Sequence, residues 1–247
     1  MTTKELRVAL VAGATGDIGR ATTARLLESH DRVFAVARSD GSLAEVKNTL
    51  GADRVTTISG DLRNEDFLLQ VVRIVQKDAG RLDTLVHCQG HTPRLGPAAE
   101  LESAVFDEVF AINLRSPVLL TRLALPTLRE SNGAVVFLGS IAGAHANSMT
   151  AAYGASKAAL AHFAKVLAHE EGPRVRSNVV SPGWVVSATM SRVLDQFKLD
   201  EGAVLGRVPM RRAAQPAEVA EMIHWLTSAD AAYVSGATFS IDGGGQP

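Results

Sequence analysis

Strand-length apolar runs alternate with helix-length segments along nearly the whole chain of 247 residues. That alternation restricts the fold more than any single motif does. The runs 7–12, 32–37, 54–59, 84–88, 134–138, 174–180 and 238–242 are short and rich in Val, Ile, Leu and Ala. They read as strands buried on both faces, as in a parallel sheet. Between them lie helical stretches: from the glycines after residue 12 to about 28, then 42–50, 64–79, 101–130, 150–170 and 216–228. The stretch 101–130 carries Asn113, and Pro117 and Pro126 are expected to kink or divide it. No linker, repeat or low-complexity segment interrupts the series. Strands alternating with helices predict one α/β domain with a single doubly wound parallel sheet of about seven strands and helices on both faces.

In such a sheet a ligand lies beyond the carboxyl ends of the strands. The chemically interesting residues fall there. Gly13, Thr15, Gly16, Asp17, Ile18 and Gly19 follow the first strand and open a helix. Glycines let a backbone approach a pyrophosphate, and a helix N-terminus offers free N–H groups; a tight turn without a ligand is the alternative. Arg38, Asp61, Gly90, Ser140, Pro182 and Gly183 fall at the ends of later strands. Tyr153 and Lys157 stand four apart on the helix 150–170, so they share a face. An ammonium beside a phenol is expected to lower its pKa and make it a proton donor near neutral pH.

Bulk properties exclude several partners. The formal net charge is −1, which gives no basic surface for nucleic acid or an anionic membrane. The uncharged stretch 131–156 is broken by Gly, Ser, Asn and His and contains a strand-length run, not a membrane span. The N-terminus, residues 1–7, is polar, without a signal core. Cys88 is the one cysteine, so no intrachain disulfide forms, in keeping with a reducing cytoplasm. The seven histidines lack ligand spacing, so no metal is expected.

In order along the chain, the glycine loop, Asp61 and Leu62, Asn113, Ser140, Tyr153 with Lys157, the run Ser181, Pro182, Gly183, and an ending from Ser235 to Gly244 resemble the short-chain dehydrogenase/reductase family over nearly the full length. Ser140 precedes Tyr153 by the spacing usual in that family. The segments 213–220 and 231–236 look most like its β-ketoacyl-ACP-reductase-like branch. The resemblance implies a Rossmann fold binding a nicotinamide cofactor, and interconversion of a carbonyl and an alcohol. It makes Tyr153 the general acid/base and has Lys157 tune it and hold the ribose. It gives Ser140 the substrate oxygen and Asn113 a relay water, although Ser140 as a turn cap and Asn113 as a buried helix amide are the plainer readings. Asp61 and Leu62 would meet the adenine. The residue after the second strand is Arg38, whose fork of donors suits a 2′-phosphate, so NADP(H) is favoured over NAD(H); Asp40 reaching the ribose would invert that.

The pattern departs from the family in places. Ala12 stands where the family has Thr. Asp17 replaces the middle glycine and would repel a pyrophosphate unless it turns outward to cap the helix. His87, Cys88 and Gln89 precede Gly90, where the family has two asparagines and an alanine; His87 and Cys88 are read as core. The stretch 184–210 is expected to fold over the cofactor as a substrate lid within the domain 1–247. Trp184, Val185, Val186, Met190, Val193, Leu194, Phe197 and Leu199 would line it, and Ser187 or Thr189 would hold the carboxamide. Residues 91–96 are expected to wall the substrate entrance, with His145 a loop residue nearby. A cofactor-binding regulatory protein without turnover is the competing reading. The likeness also implies a homotetramer pairing the helices of 101–130 and 150–170 between subunits.

Overall fold

The computed structural model describes residues 6–51 and 53–245. The first five residues, on which most of the polar N-terminal stretch rests, lie outside the described part. Seven parallel strands form one sheet in the order β3-β2-β1-β4-β5-β6-β7. They are β1 (Val8–Ala12), β2 (Arg32–Ala37), β3 (Val55–Ser59), β4 (Thr84–His87), β5 (Ala134–Leu138), β6 (Arg176–Pro182) and β7 (Thr238–Ile241). The helices are α1 (Asp17–Leu26), α2 (Asp40–Leu50), α3 (Glu65–Ala79), α4 (Ser103–Phe110), α5 (Ser116–Glu130), α6 (Ala151–Glu171), α7 (Ala188–Phe197), α8 (Glu201–Leu205) and α9 (Pro216–Thr227). Among the described residues no helix is long and apolar enough to cross a membrane.

The strands are apolar throughout because each face meets helices. In β1, Val8, Leu10 and Ala12 join one core with Phe34, Leu68, Leu120, Phe137 and Leu160. Ala9 and Val11 point the other way, into a core with Leu26, Val33, Val219 and Ile223. Strand order reverses between β1 and β4, so their carboxyl ends open the crevice where such sheets hold ligands.

The expected elements are present, with ends moved by a residue or two. The stretch 101–130 differs in kind. Pro126 does not divide it, and the break falls just before Pro117. The break is a π-turn, Ala111–Arg115, centred on Asn113. Pro117 sits in the first turn of α5 and has no N–H to offer the Asn113 carbonyl one turn back, and Pro126 lies inside the helix. A single π-turn widens the helix locally and re-aims one side chain; here that side chain is Asn113.

One buried histidine makes the fold sensitive to acid. His30, 2% exposed, bonds Thr84 Oγ1 through Nε2 at 2.8 Å. Burial, with Arg7 adding to it, lowers its pKa to about 4. The unfolded chain takes up this proton near pH 6.5, the folded chain only near 4. Stability contributed above pH 6.5 is therefore lost as pH falls through that window, by about 2 kcal/mol at pH 5. Urea unfolding at pH 7 and pH 5 should show the drop, and His30→Asn should flatten it.

Candidate active site

The site begins at the glycine loop. Gly13 has φ +81°, which only glycine adopts without strain, and a side chain there would strike the Gln89 backbone. A Cβ at Gly19 would stand 2.1 Å from the Gly13 carbonyl oxygen. The loop is thus folded tightly onto α1. At Gly16, the N-cap, no side chain caps the helix, and a Cβ would meet only the Gly13 oxygen, at 3.7 Å. The N-terminus of α1 is left with free N–H groups facing the crevice, which suits a pyrophosphate. Thr15 turns its carbonyl to Arg20 Nε at 3.0 Å.

Asp17 does not cap its own helix. Its carboxylate accepts from the Ala188 N–H at 3.0 Å, at the first residue of α7. It caps the neighbouring helix and ties the glycine loop to the segment that covers the crevice. A charge that looked awkward in the sequence is neutralised in part by the α7 N-terminus.

A cavity of about 590 Å³ runs from this loop to Tyr153. Gly16, Asp17, Ile18, Gly19, Gly90, Ser140, Tyr153, Lys157, Pro182, Gly183, Ser187 and Thr189 all reach its wall. Arg38 and Asp61 lie beyond it, past β2 and β3. Arg38 is exposed. Asp61 is gripped by Arg63, whose Nη2 donates at 2.6 Å, and its pKa is held low chiefly by that bond. Leu62 follows it and packs against the core.

Lys157 is 3% exposed and donates to the Leu138 carbonyl at 2.7 Å. Burial lowers its pKa to about 8, so it remains mostly charged at pH 7. Its Nζ stands 5.9 Å from the centre of the Tyr153 ring. Ser140 and Thr92 share the cavity wall with Tyr153 and pull its pKa down. Burial outweighs both, and the net shift is upward. The expected lowering by Lys157 is therefore absent in the protein alone: Nζ is engaged by Leu138, and a buried phenolate is costly. Tyr153 as a whole is half-buried.

Asn113 is fully buried. Its Nδ2 donates to the His91 carbonyl and to Ser156 Oγ, both at 3.0 Å, and its Oδ1 accepts from the His91 N–H at 2.7 Å. It fixes the entrance loop to the π-turn. Ser140 Oγ accepts from the Ala142 N–H at 3.2 Å, so the turn-cap reading holds alongside its place on the cavity wall. Ser187 caps α7, accepting from the Met190 N–H at 3.2 Å and donating to the Val185 carbonyl. Thr189 Oγ1 accepts from Arg192.

His87 stacks on Phe137 at 4.9 Å and bonds Thr121 Oγ1 at 2.8 Å. Burial takes its pKa down to about 3. Cys88 reaches the cavity wall, not the core alone, and burial pushes its thiol up to about 12, which makes it unreactive. Of the apolar residues 184–199, Val186 is exposed and Leu194 packs into a small core with Met190 and Ala213; the rest face a cavity or pack beside it. His145 is not on the wall. Thr92 was not legible from its type; its one signal is a position two residues beyond Gly90, in the stretch read as an entrance wall.

The family described as enoyl-(acyl carrier protein) reductase matches residues 13–246. The chain belongs to the short-chain dehydrogenase/reductase family. Among its relatives is the 3-oxoacyl-[acyl-carrier-protein] reductase FabG of Thermotoga maritima, 30% identical over 244 residues, 97% of this chain and 98% of that one. The short-chain type dehydrogenase/reductase y4vI of Sinorhizobium fredii is 34% identical over 241 residues, 96% of this chain but 43% of that longer protein. A single-substitution variant of actinorhodin polyketide ketoreductase, solved with NADPH, superposes with a TM-score of 0.93 at 30% identity, over 99% of both chains. These relatives put the chain in the ketoreductase-like branch of a family of nicotinamide-dependent oxidoreductases.

Proposed function

We propose that this short-chain dehydrogenase/reductase is an NADP(H)-dependent enzyme that interconverts a carbonyl and an alcohol. The observation that carries the reading is that Ser140, Tyr153 and Lys157 share one cavity wall, which continues to the uncapped N-terminus of α1. The glycine loop would hold the pyrophosphate, Pro182, Gly183 and Thr189 the nicotinamide end, and Lys157 the ribose. When bound, the cofactor supplies or accepts the hydride.

The chain's own residues do the rest. Ser140 donates to the substrate oxygen and fixes it. Tyr153 carries its proton at neutral pH because burial raises its pKa, and it gives that proton to the oxygen during reduction. Lys157, mostly charged at pH 7, would supply the proton that restores the phenol. A Cβ at Gly90 would stand 3.6 Å from Lys157 Nζ and 3.8 Å from Asn113 Oδ1, so the absence of a side chain keeps the path between them clear. Asn113 retains one carbonyl lone pair there for a relaying water.

Arg38 supports the NADP(H) preference. It follows β2 directly, and the Gly13 and Ala14 N–H groups bond the Val36 carbonyl just before it, so Arg38 and the phosphate loop lie side by side. Asp40 opens α2 behind a Ser39 cap. NADPH should bind more tightly than NADH in a fluorescence titration, and Arg38→Ala should weaken NADPH about tenfold or more while sparing NADH. Equal affinities in the unaltered protein would remove the preference.

Cys88, half-buried with a thiol pKa raised by its surroundings, suits a cytoplasmic protein. A homotetramer is supported by apolar surface on the expected helices: Phe106 on α4, stacked on Phe110 at 4.3 Å, and Val166 on α6 are both exposed. The function itself is tested by offering ketones, acyl thioesters and alcohols with each cofactor. Carbonyl-dependent oxidation of NADPH is expected. Tight cofactor binding with no turnover of any of them would favour the regulatory reading instead.

A further inference from the structure

The cavity at Tyr153 has a neighbour. A second cavity, of about 580 Å³, lies against the loop 93–97, the residues 100–102 and the start of α6. The two share Leu95, Thr150, Tyr153 and Phe197 as walls. Gln196, near the end of α7, holds the wall in place. Its Nε2 donates to the Leu95 carbonyl at 2.6 Å, and its Oε1 accepts from the Leu95 N–H at 3.1 Å. A primary amide has one donor and one acceptor side, so it saturates both backbone groups of one residue at once. The next residue, Gly96, donates its N–H to the Met149 carbonyl at 3.2 Å. The entrance loop is therefore pinned to the covering helix at one position and to the approach of α6 at the following one.

The first cavity has to take the nicotinamide end as well as a substrate, since Gly16 to Gly19 and Gly183 are on its wall. Only part of its volume is left for the substrate. Anything longer than a small ketone must pass Leu95 and Phe197 into the second cavity, whose lining is mixed: Pro97, Leu101 and Met149 stand beside Arg94, Glu100 and Glu102.

We propose that Gln196 is a specificity-determining positioning residue. Its clasp on Leu95 closes the reaction cavity off from the second cavity and sets the length limit of the substrate. With the clasp in place the protein takes short carbonyl compounds; without it the two cavities join and accept a longer chain. This rests on the carbonyl-reductase reading.

The test is a homologous series of methyl ketones, from butanone to long alkyl chains, with NADPH. In the unaltered protein kcat/KM should fall beyond the short members. Gln196→Ala should raise kcat/KM for long relative to short members by about tenfold or more, through KM and not kcat, because the residue touches no reacting atom. Gln196→Met keeps the length of the side chain without the amide and should shift the preference in the same direction. The melting temperature of the NADPH complex gives a readout without turnover: a long ketone should raise it in both variants more than in the unaltered protein. The same length profile in all three proteins, or a Gln196→Met variant that matches the unaltered protein, would overturn the clasp. If the unaltered protein reduces no ketone at all, the carbonyl-reductase reading fails. The melting series then decides the clasp alone: a greater rise in the variants supports it, and an equal rise overturns it.

Discussion

Tyr153→Phe is expected to lower kcat by about a thousandfold, within the range that a positioned general acid contributes, while NADPH affinity changes by less than about threefold. The substitution removes one oxygen and keeps the ring. Ser140 and Thr92 lose a polar neighbour, but Ser140 still holds the Ala142 N–H, so the wall stays in place. The measurement is steady-state turnover of a ketone found by the screen, beside a fluorescence titration with NADPH. Near-normal turnover by the variant would show that the proton comes from elsewhere. The pH dependence has a direction too. With the phenol's pKa raised by burial, reduction has its proton in place at and below neutral pH, and alcohol oxidation, which needs the phenolate, should speed up as pH rises. Lys157, with a pKa of about 8, loses its charge in the same rise, so the oxidation rate should level off or turn down above that pH.

Gly19→Ala is expected to do comparable damage by a different route. The added carbon would stand 2.1 Å from the Gly13 oxygen, 2.9 Å from its carbonyl carbon and 3.0 Å from Ala14 Cα. All three are backbone atoms. Gly13 cannot retreat, because its N–H is bonded to the Val36 carbonyl at 2.8 Å and it packs on the Gln89 backbone. The loop must lift off α1. Overpacking of this kind costs about 1–3 kcal/mol, which for a chain of this size lowers the melting temperature by roughly 2–4 °C per kcal/mol. NADPH affinity should fall at least about tenfold, since the free N–H groups no longer converge. Gly16→Ala is the control for stability: its nearest neighbour is 3.7 Å away, and its melting temperature should stay near that of the unaltered protein. A Gly19→Ala protein with unchanged melting temperature and affinity would mean that the cradle is more pliant than its geometry.

The legible parts of the protein are those fixed by local rules. Apolar runs between helical segments are a direct consequence of burial on both faces, so Val8–Ala12 and Ala134–Leu138 could be read at once. The ligand end of the sheet followed from chain direction alone, and with it the shared location of Gly16, Gly90, Ser140 and Gly183. Tyr153 and Lys157 share a helix face because four residues make about one turn.

What local rules could not supply was set between segments far apart in the chain. The π-turn at Asn113 sets its amide against the His91 backbone across the site, a meeting that no local pattern announces. Asp17 looked like a liability until the Ala188 N–H, 171 residues on, came to face it. Spacing placed Lys157 beside Tyr153 and so suggested a lowered phenol pKa. The depth of the hydroxyl and the pull of the Leu138 carbonyl on Nζ reverse the sign in the protein alone. The clasp between Gln196 and Leu95 joins residues 101 positions apart. Periodicity and turn chemistry act within a few residues, so the order of residues was enough to specify the sheet, its direction and the composition of the site. Solvation, charge and the walls of the cavity depend on which distant backbone groups come within about 3 Å of a side chain, and those meetings exist only once the chain has folded.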